Sequence, residues 1–189
     1  MGVSLEMDHA YDDWRKLTRV PGRDSRFAEV ADLYATEAEL LDNDLLDDWL
    51  SEVVAEEIVY LVPVRVTRRF GDGTEFVGAM THLNESRASL EARVRRRDTG
   101  VAWAEDPPSR ARRHVSGLRV YEDPDDPSAL LARMNVLLTR NRFDGPEYQL
   151  ISYERRDGLV ASDDGYRLRR RTALVDQSCL GMVNLAIFL

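Results

Sequence analysis

Tyr60-Leu61-Val62-Pro63-Val64-Arg65-Val66-Thr67 is the stretch on which the fold turns. Before Ala55 the apolar residues recur at helical spacing. From here the period is two, with Val62, Val64 and Val66 on one side and Pro63, Arg65 and Thr67 on the other, as in a half-buried strand. Proline has no N–H to give to a ladder, so Pro63 implies an edge position or a bulge.

Upstream of this switch, Asp24 or Ser25 is placed to cap a helix. Its apolar residues Phe27, Val30, Leu33, Tyr34, Leu40 and Leu41 follow helical spacing, with Glu37 the exception, and the helix should end near Asn43. Leu45, Leu46, Trp49 and Leu50 mark a short second helix whose apolar face folds back on the first. Residues 1–23 are polar and weakly patterned and read as an N-terminal arm, leaving 24–189 as a single domain.

Downstream, Gly71-Asp72-Gly73 is a hairpin signal and Phe76 to Leu83 returns as the next strand. Asn84 and Ser86 are candidate caps for a helix in which Leu90 and Val94 share one face and Arg93, Arg95, Arg96 and Arg97 take the rest. Gly100 ends it. The paired prolines of Trp103-Ala104-Glu105-Asp106-Pro107-Pro108-Ser109-Arg110 impose an extended, non-helical crossing. That crossing is either a surface loop anchored by Trp103 or a subunit contact, since aromatics and Arg are enriched in interface cores. His114 to Tyr121 reads as a strand, followed by the turn Asp123-Pro124-Asp125-Asp126-Pro127. Leu130 to Phe143 carries Met134, Val136 and Leu138 on one face and closes at Asp144-Gly145-Pro146. In the next hairpin Tyr148, Leu150 and Ser152 alternate with Gln149, Ile151 and Tyr153, and a turn near Asp163-Asp164-Gly165 leads into Tyr166 to Val175.

Helices first and long strands joined by tight turns afterwards predict an α+β domain: N-terminal helices covering one face of a long, curved antiparallel sheet, in a cone that encloses a pocket or is filled by side chains. Short hairpin connections leave little room for parallel crossovers.

Composition narrows the function. At 189 residues, 43% hydrophobic and 32% charged, the chain supports one soluble globular domain. No apolar run approaches the roughly 18 to 20 residues that span a bilayer. Glu6, Asp8, Asp12 and Asp13 are foreign to a secretory signal, and Glu6 stands where myristoylation wants Ser or Thr. A cytoplasmic location is therefore expected. The net charge of -8 argues against a nucleic-acid binder. Lys16 is the single lysine, so nearly all positive charge is planar guanidinium suited to carboxylate pairing.

Cys179 is the only cysteine, which excludes an internal disulfide and any site built from several thiolates, and it reads as a small buried hydrophobe. His9, His82 and His114 are scattered, with no pair at metal-binding spacing. Asp8, His9, Asp12 and Asp13 read as a solvated arm rather than a cation site. No phosphate loop, nucleophile elbow or dinucleotide fingerprint occurs. One chemistry remains open: a carboxylate and a histidine facing each other inside the cone, as proton-shuffling isomerases and dehydratases use. Asp42, Asp44 or Asp48 with His82 or His114 are the candidates, and the pair Asp42 and His82 leads.

Several segments taken together resemble the small (β) subunit of aromatic-ring-hydroxylating dioxygenases, the Rieske non-haem iron oxygenases. They are Glu39-Leu40-Leu41-Asp42 with Trp49, the strand Tyr60 to Arg65, the run Leu90 to Arg96 through Trp103 to Arg110, Arg155-Arg156-Asp157, and the ending Leu174 to Gln177 and Asn184 to Leu189. They cover essentially Phe27 to Leu189. The departures are an extra arginine at 97 and the Gly158 to Gly165 turn.

The resemblance implies an NTF2-like or cystatin-like cone and a non-catalytic partner of a large α subunit, which holds the Rieske [2Fe-2S] cluster and a mononuclear Fe(II). It implies three α and three β chains with a β trimer as base, served by a reductase with or without ferredoxin, in aromatic hydrocarbon catabolism. The assembly would turn aromatic rings into cis-dihydrodiols with O2 and NAD(P)H-derived electrons. Arg93, Arg95, Trp103, Arg110 and Arg156 then become interface or scaffold residues, with no cofactor, metal or catalytic residue on this chain. The donor inventory agrees, because one cysteine and three dispersed histidines cannot ligate a Cys2His2 cluster. The reading from a different class is a free-standing NTF2-like isomerase, dehydratase or cyclase using Asp42 and His82.

Overall fold

The structure is a computed structural model; it describes residues 13–69, 75–98, 108–142, 144, 146–180 and 187–189. Gly71-Asp72-Gly73, Gly100, Trp103 and most of the proline crossing lie outside the described residues.

Helix α1 spans Ser25–Asp42 and α2 spans Leu46–Glu52. Asp24 is the cap: its Oδ1 accepts the Arg26 N–H at 3.0 Å, satisfying one of the helix's orphan donors. Val30, Tyr34, Leu40 and Leu41 of α1 and Leu46, Trp49 and Leu50 of α2 are buried, as the spacing requires. Strand β1, Val54–Arg65, follows at once. Pro63 sits not at an edge but at an irregularity, with the register to the next strand slipping on both sides of it. The missing N–H is therefore lodged in a bulge.

Strand β2, Phe76–Ser86, pairs antiparallel with β1 and runs directly into α3, Arg87–Asp98. The Ser86 N–H donates to Ser89 Oγ at 2.8 Å, so the first turn of α3 is tied back to the strand end by Ser89. Leu90 and Val94 face inward together. Strands β3 (Arg110–Glu122), β4 (Ala129–Asn141), β5 (Gln149–Ser162) and β6 (Gly165–Val175) then form an antiparallel meander.

The sheet has six strands in the order β2-β1-β6-β5-β4-β3. One pairing departs from the sequence expectation: β1 and β6 run parallel. The chain leaves β2, crosses to the far edge at β3 and meanders back, so the last strand meets the first in the same direction. A connection of this length permits a parallel pair where a hairpin does not.

All three described α-helices lie on the sheet, α1 against β3 and β6, α2 and α3 against β1. The arm also docks: Val20 N–H donates to the Val120 carbonyl and Glu122 N–H to that of Thr18, both at 2.9 Å, while Trp14 and Leu17 pack on Tyr121 and Leu131. This protects the exposed rim of β3.

Register assigns the faces. Leu138 of β4 is fully buried in the main core, whereas its neighbour Leu137 points to the other side and is 43% exposed. Leu138→Ala is expected to cost about 2 to 5 kcal/mol in urea unfolding and Leu137→Ala within about 0.5 kcal/mol. Equal losses would contradict the register.

Candidate functional site

Glu37, the one charged residue on the apolar stripe of α1, is fully buried, and the centre of the molecule is built around it. Arg171 of β6 donates Nη1 to Glu37 Oε1 at 2.6 Å and Nη2 to Glu37 Oε2 at 2.9 Å. The same guanidinium reaches Asp157 of β5, with Nη2 2.7 Å from Oδ2. Arg155 Nη1 donates to Glu37 Oε2 at 2.7 Å. Asp157 faces Arg171 across the β5–β6 ladder, so strand register places both on the inner face. Two carboxylates and two guanidiniums sum to zero formal charge, the condition under which ions survive desolvation.

Neutral donors complete the cluster. Trp49 Nε1 donates to Glu37 Oε1 at 3.1 Å, and the Tyr34 hydroxyl to Asp157 Oδ2 at 3.0 Å. The Tyr60 hydroxyl donates to the Leu189 backbone oxygen and accepts the Leu189 N–H at 2.7 Å. Arg171 Nη1 also reaches the Leu189 oxygen, at 3.3 Å. Phe188 and Leu189 are thereby drawn into the same core as the helices and sheet.

Electrostatics holds Glu37, Arg171, Tyr60 and Tyr34 each in one protonation state. Burial alone pushes the Glu37 carboxyl up, but the charges of Arg155 and Arg171 and the donors of Arg171 and Trp49 outweigh it and hold the group at about 2. Burial works against the charge on Arg171, and Asp157 and Glu37 overcome it, so its pKa is raised further. Burial lifts Tyr60 to about 12, and burial with the Asp157 charge lifts Tyr34 well above the phenol range. None of these groups is poised to exchange a proton near neutrality, which general acid–base work requires.

The sequence candidates scatter. Asp42 ends α1 and is locked by Arg113 of β3, whose Nη1 lies 2.6 Å from Oδ1 and whose backbone N–H donates to Oδ2 at 3.0 Å. His82 stands on β2 and His114 on β3, the two opposite edges of the sheet. Asp42 therefore faces Arg113, and the structure does not bring it to His82. Asp44 pairs with Arg97 at 2.6 Å, and Asp48 lies in the acidic first turn of α2. His9 lies outside the described residues. Cys179 is exposed, not buried as the sequence suggested, because it falls past β6 beyond the core. Among the described residues no three His, Cys, Asp or Glu side chains gather as a metal site. One thiol does not fit a Rieske cluster, and among the described residues the two imidazoles, on opposite sheet edges, do not form a two-histidine iron site.

The candidate interface residues are distributed differently. Arg93 pairs with Glu85 at 3.2 Å and covers the Phe188 ring, so it serves the interior. The Arg95 side chain is 68% exposed, with Glu91 3.7 Å away. Arg110 Nη2 donates to Asn141 Oδ1 at 3.0 Å, and Arg156 Nε donates to Glu154 Oε1 at 2.6 Å. Trp103 lies outside the described residues. The buried network was missed in the sequence, and its signal was Glu37 itself: a carboxylate on an otherwise apolar helical face needs buried cations.

A depressed carboxyl pKa contributes stability that is complete above the unfolded value and is lost as pH falls through the folded one. For Glu37 that window runs from 4.5 down to about 2. Glu37→Gln is expected to lose roughly 3 to 5 kcal/mol at pH 7, by leaving Arg155 and Arg171 undercompensated. It should also flatten the fall of stability between those pH values in a denaturation series. An unchanged acid slope would contradict the assignment.

The family model described as "Ring hydroxylating beta subunit" matches residues 36–182. Biphenyl 2,3-dioxygenase subunit beta of Rhodococcus jostii (strain RHA1) is 30% identical over 165 residues, covering 85% of this chain and 87% of that one. A chain of naphthalene 1,2-dioxygenase with indole bound in the active site superposes with a TM-score of 0.82 at 26% identity, covering 96% of this chain and 94% of that one. The beta subunit of the benzoate 1,2-dioxygenase from Burkholderia mallei ATCC 23344 shares the fold, with a TM-score of 0.64 at 18% identity over 85% of this chain and 96% of that one. Helices packed on a curved open sheet form the NTF2-like cone common to these structures. A stretch of matched sequence running from the middle of α1 past β6, and a fold that superposes along nearly the whole chain, place this protein in the family of ring-hydroxylating dioxygenase β subunits.

Proposed function

We propose that this chain is the non-catalytic, architectural subunit of a multicomponent aromatic-ring-hydroxylating dioxygenase of the EC 1.14.12 type. Its partner is a large α subunit carrying the Rieske [2Fe-2S] cluster and the mononuclear Fe(II), in an α3β3 assembly with the β chains as trimeric base. A reductase, with or without ferredoxin, supplies NAD(P)H-derived electrons, and the assembly converts an aromatic ring to a cis-dihydrodiol in the cytoplasm. No described helix is long and apolar enough to cross a membrane.

The observation that carries this reading is the state of the interior. The described core runs without a break from Val30 and Trp49 through Tyr60, Met134 and Ile151 to Phe188 and Leu189, and its charged members are committed to one another. A chain packed this way contributes shape. Arg95, Arg110 and Arg156 present guanidinium groups from α3, β3 and β5 without being buried in the core. In the assembly they meet carboxylates of neighbouring chains, where such pairs fix orientation more than affinity. Arg93 acts through the interior, and Trp103 as an aromatic anchor of the crossing. The alternative of an Asp42/His82 isomerase gains no support, since Asp42 is consumed by Arg113.

A tagged copy of this chain, expressed with its partner, is expected to draw down a brown iron-sulfur protein. Arg95→Glu should leave the unfolding midpoint within about 0.5 kcal/mol of the parent and weaken that capture roughly two- to fivefold. The opposite result is a chain that is solitary, turns over an apolar ketone and loses that turnover in Asp42→Asn or His82→Ala.

A further inference from the structure

Phe188 sits inside a cage drawn from three elements. Its ring centroid is 4.7 Å from that of Trp49, tilted by 32°, and 6.5 Å from that of Tyr60, nearly edge-on at 77°. The Arg93 guanidinium covers it at 5.4 Å. Tilted, edge-on and cationic neighbours together match the charge distribution of an aromatic ring, negative on the face and positive at the rim.

Each wall is held by bonds that do not involve the Phe188 side chain. Trp49 is tied to Glu37 at 3.1 Å, Arg93 to Glu85 at 3.2 Å, and Tyr60 to the backbone of Leu189. The backbone around the ring is anchored as well. Arg113 Nη2 donates to the Phe188 carbonyl at 2.5 Å while pairing with Asp42, and Arg171 reaches the Leu189 oxygen while pairing with Glu37 and Asp157. Walls fixed by hydrogen bonds and a part-buried ion pair resist collapse, which decides whether a cavity survives the loss of its occupant.

We propose that the cone encloses a preformed, rigid site for a small aromatic hydrocarbon of benzene or toluene size, and that the Phe188 ring is its built-in occupant. A ring attached to the chain competes at an effective concentration on the order of millimolar or higher, so a free ring does not displace it in the parent protein. Taking away the ring while leaving the backbone bonds exposes the site, whose Trp49 and Tyr60 rings and Arg93 guanidinium then face a free ring of the same size. The site is separate from any chemistry of the assembly and stands or falls without it.

The test is Phe188→Ala in the full chain, followed by thermal unfolding with and without benzene. The variant is expected to melt roughly 6 to 20 °C below the parent. Benzene at about 100-fold above its dissociation constant should return roughly 5 to 10 °C of that, with the parent unmoved and cyclohexane giving a smaller rise. Equal shifts in both proteins, or none in the variant, overturn the proposal. Should Phe188→Ala be unfolded without ligand, its circular dichroism with benzene is read beside that of Phe188→Leu. Recovery of the folded spectrum supports the site, and failure to recover beside a folded Phe188→Leu refutes it.

Discussion

A single guanidinium, that of Arg171, holds the parts of this molecule in register. It bridges Glu37 of the first helix to Asp157 of the neighbouring strand and touches the backbone of Leu189, with all three partners in the buried interior. Planarity matters: a lysine at this position could not present parallel donors to one carboxylate and still meet a second. Removing these charges from water costs several kcal/mol per ion before pairing, so the network is not there to add stability. Its effect is selective. The observed placement of α1 over the sheet brings Glu37 to both arginines, and the observed path of residues 187–189 brings the Leu189 oxygen to Arg171.

That selectivity suits a subunit whose surface must be presented reproducibly. The interior is fixed by charge pairing and aromatic packing around Phe188, while arginines on α3, β3 and β5 remain at the surface. At the centre of the cone Glu37, Arg171, Tyr34 and Tyr60 are bound to one another, to Asp157 or to the tail backbone, and their pKa values are driven away from neutrality. Its NTF2-like shape is one on which the sequence had left a carboxylate–histidine pair open. The commitment of Asp42 to Arg113 and the separation of His82 and His114 onto opposite sheet edges express the same design in this chain.

Much of this architecture was legible in the sequence. The change of period after Ala55 and the shared face of Leu90 and Val94 follow from local rules and recur in the structure; of the caps offered, Asp24 or Ser25, the structure uses Asp24, and of an edge or a bulge at Pro63 it uses the bulge. The parallel β1–β6 pair did not, because strand adjacency across the whole chain is set by global packing rather than by turn residues. The docking of Thr18 and Val20 on β3 was invisible for a similar reason: one buried valine in a polar arm carries no periodic signal. At the centre, Glu37 appeared only as a break in an apolar stripe. Its ion-pair partners lie more than a hundred residues away, and no spacing rule links a helix residue to two arginines on distant strands.

The most direct measurement is a double-mutant cycle on Glu37→Gln and Arg171→Met, with stability read by denaturant unfolding at pH 7. If Arg171 organises helix, sheet and tail through Glu37, the two losses fall short of additivity by about 1 to 3 kcal/mol, because the second substitution removes a charge the first has already stranded. Additivity within about 0.5 kcal/mol would mean that the two residues act independently, and the central role given to this guanidinium would be wrong.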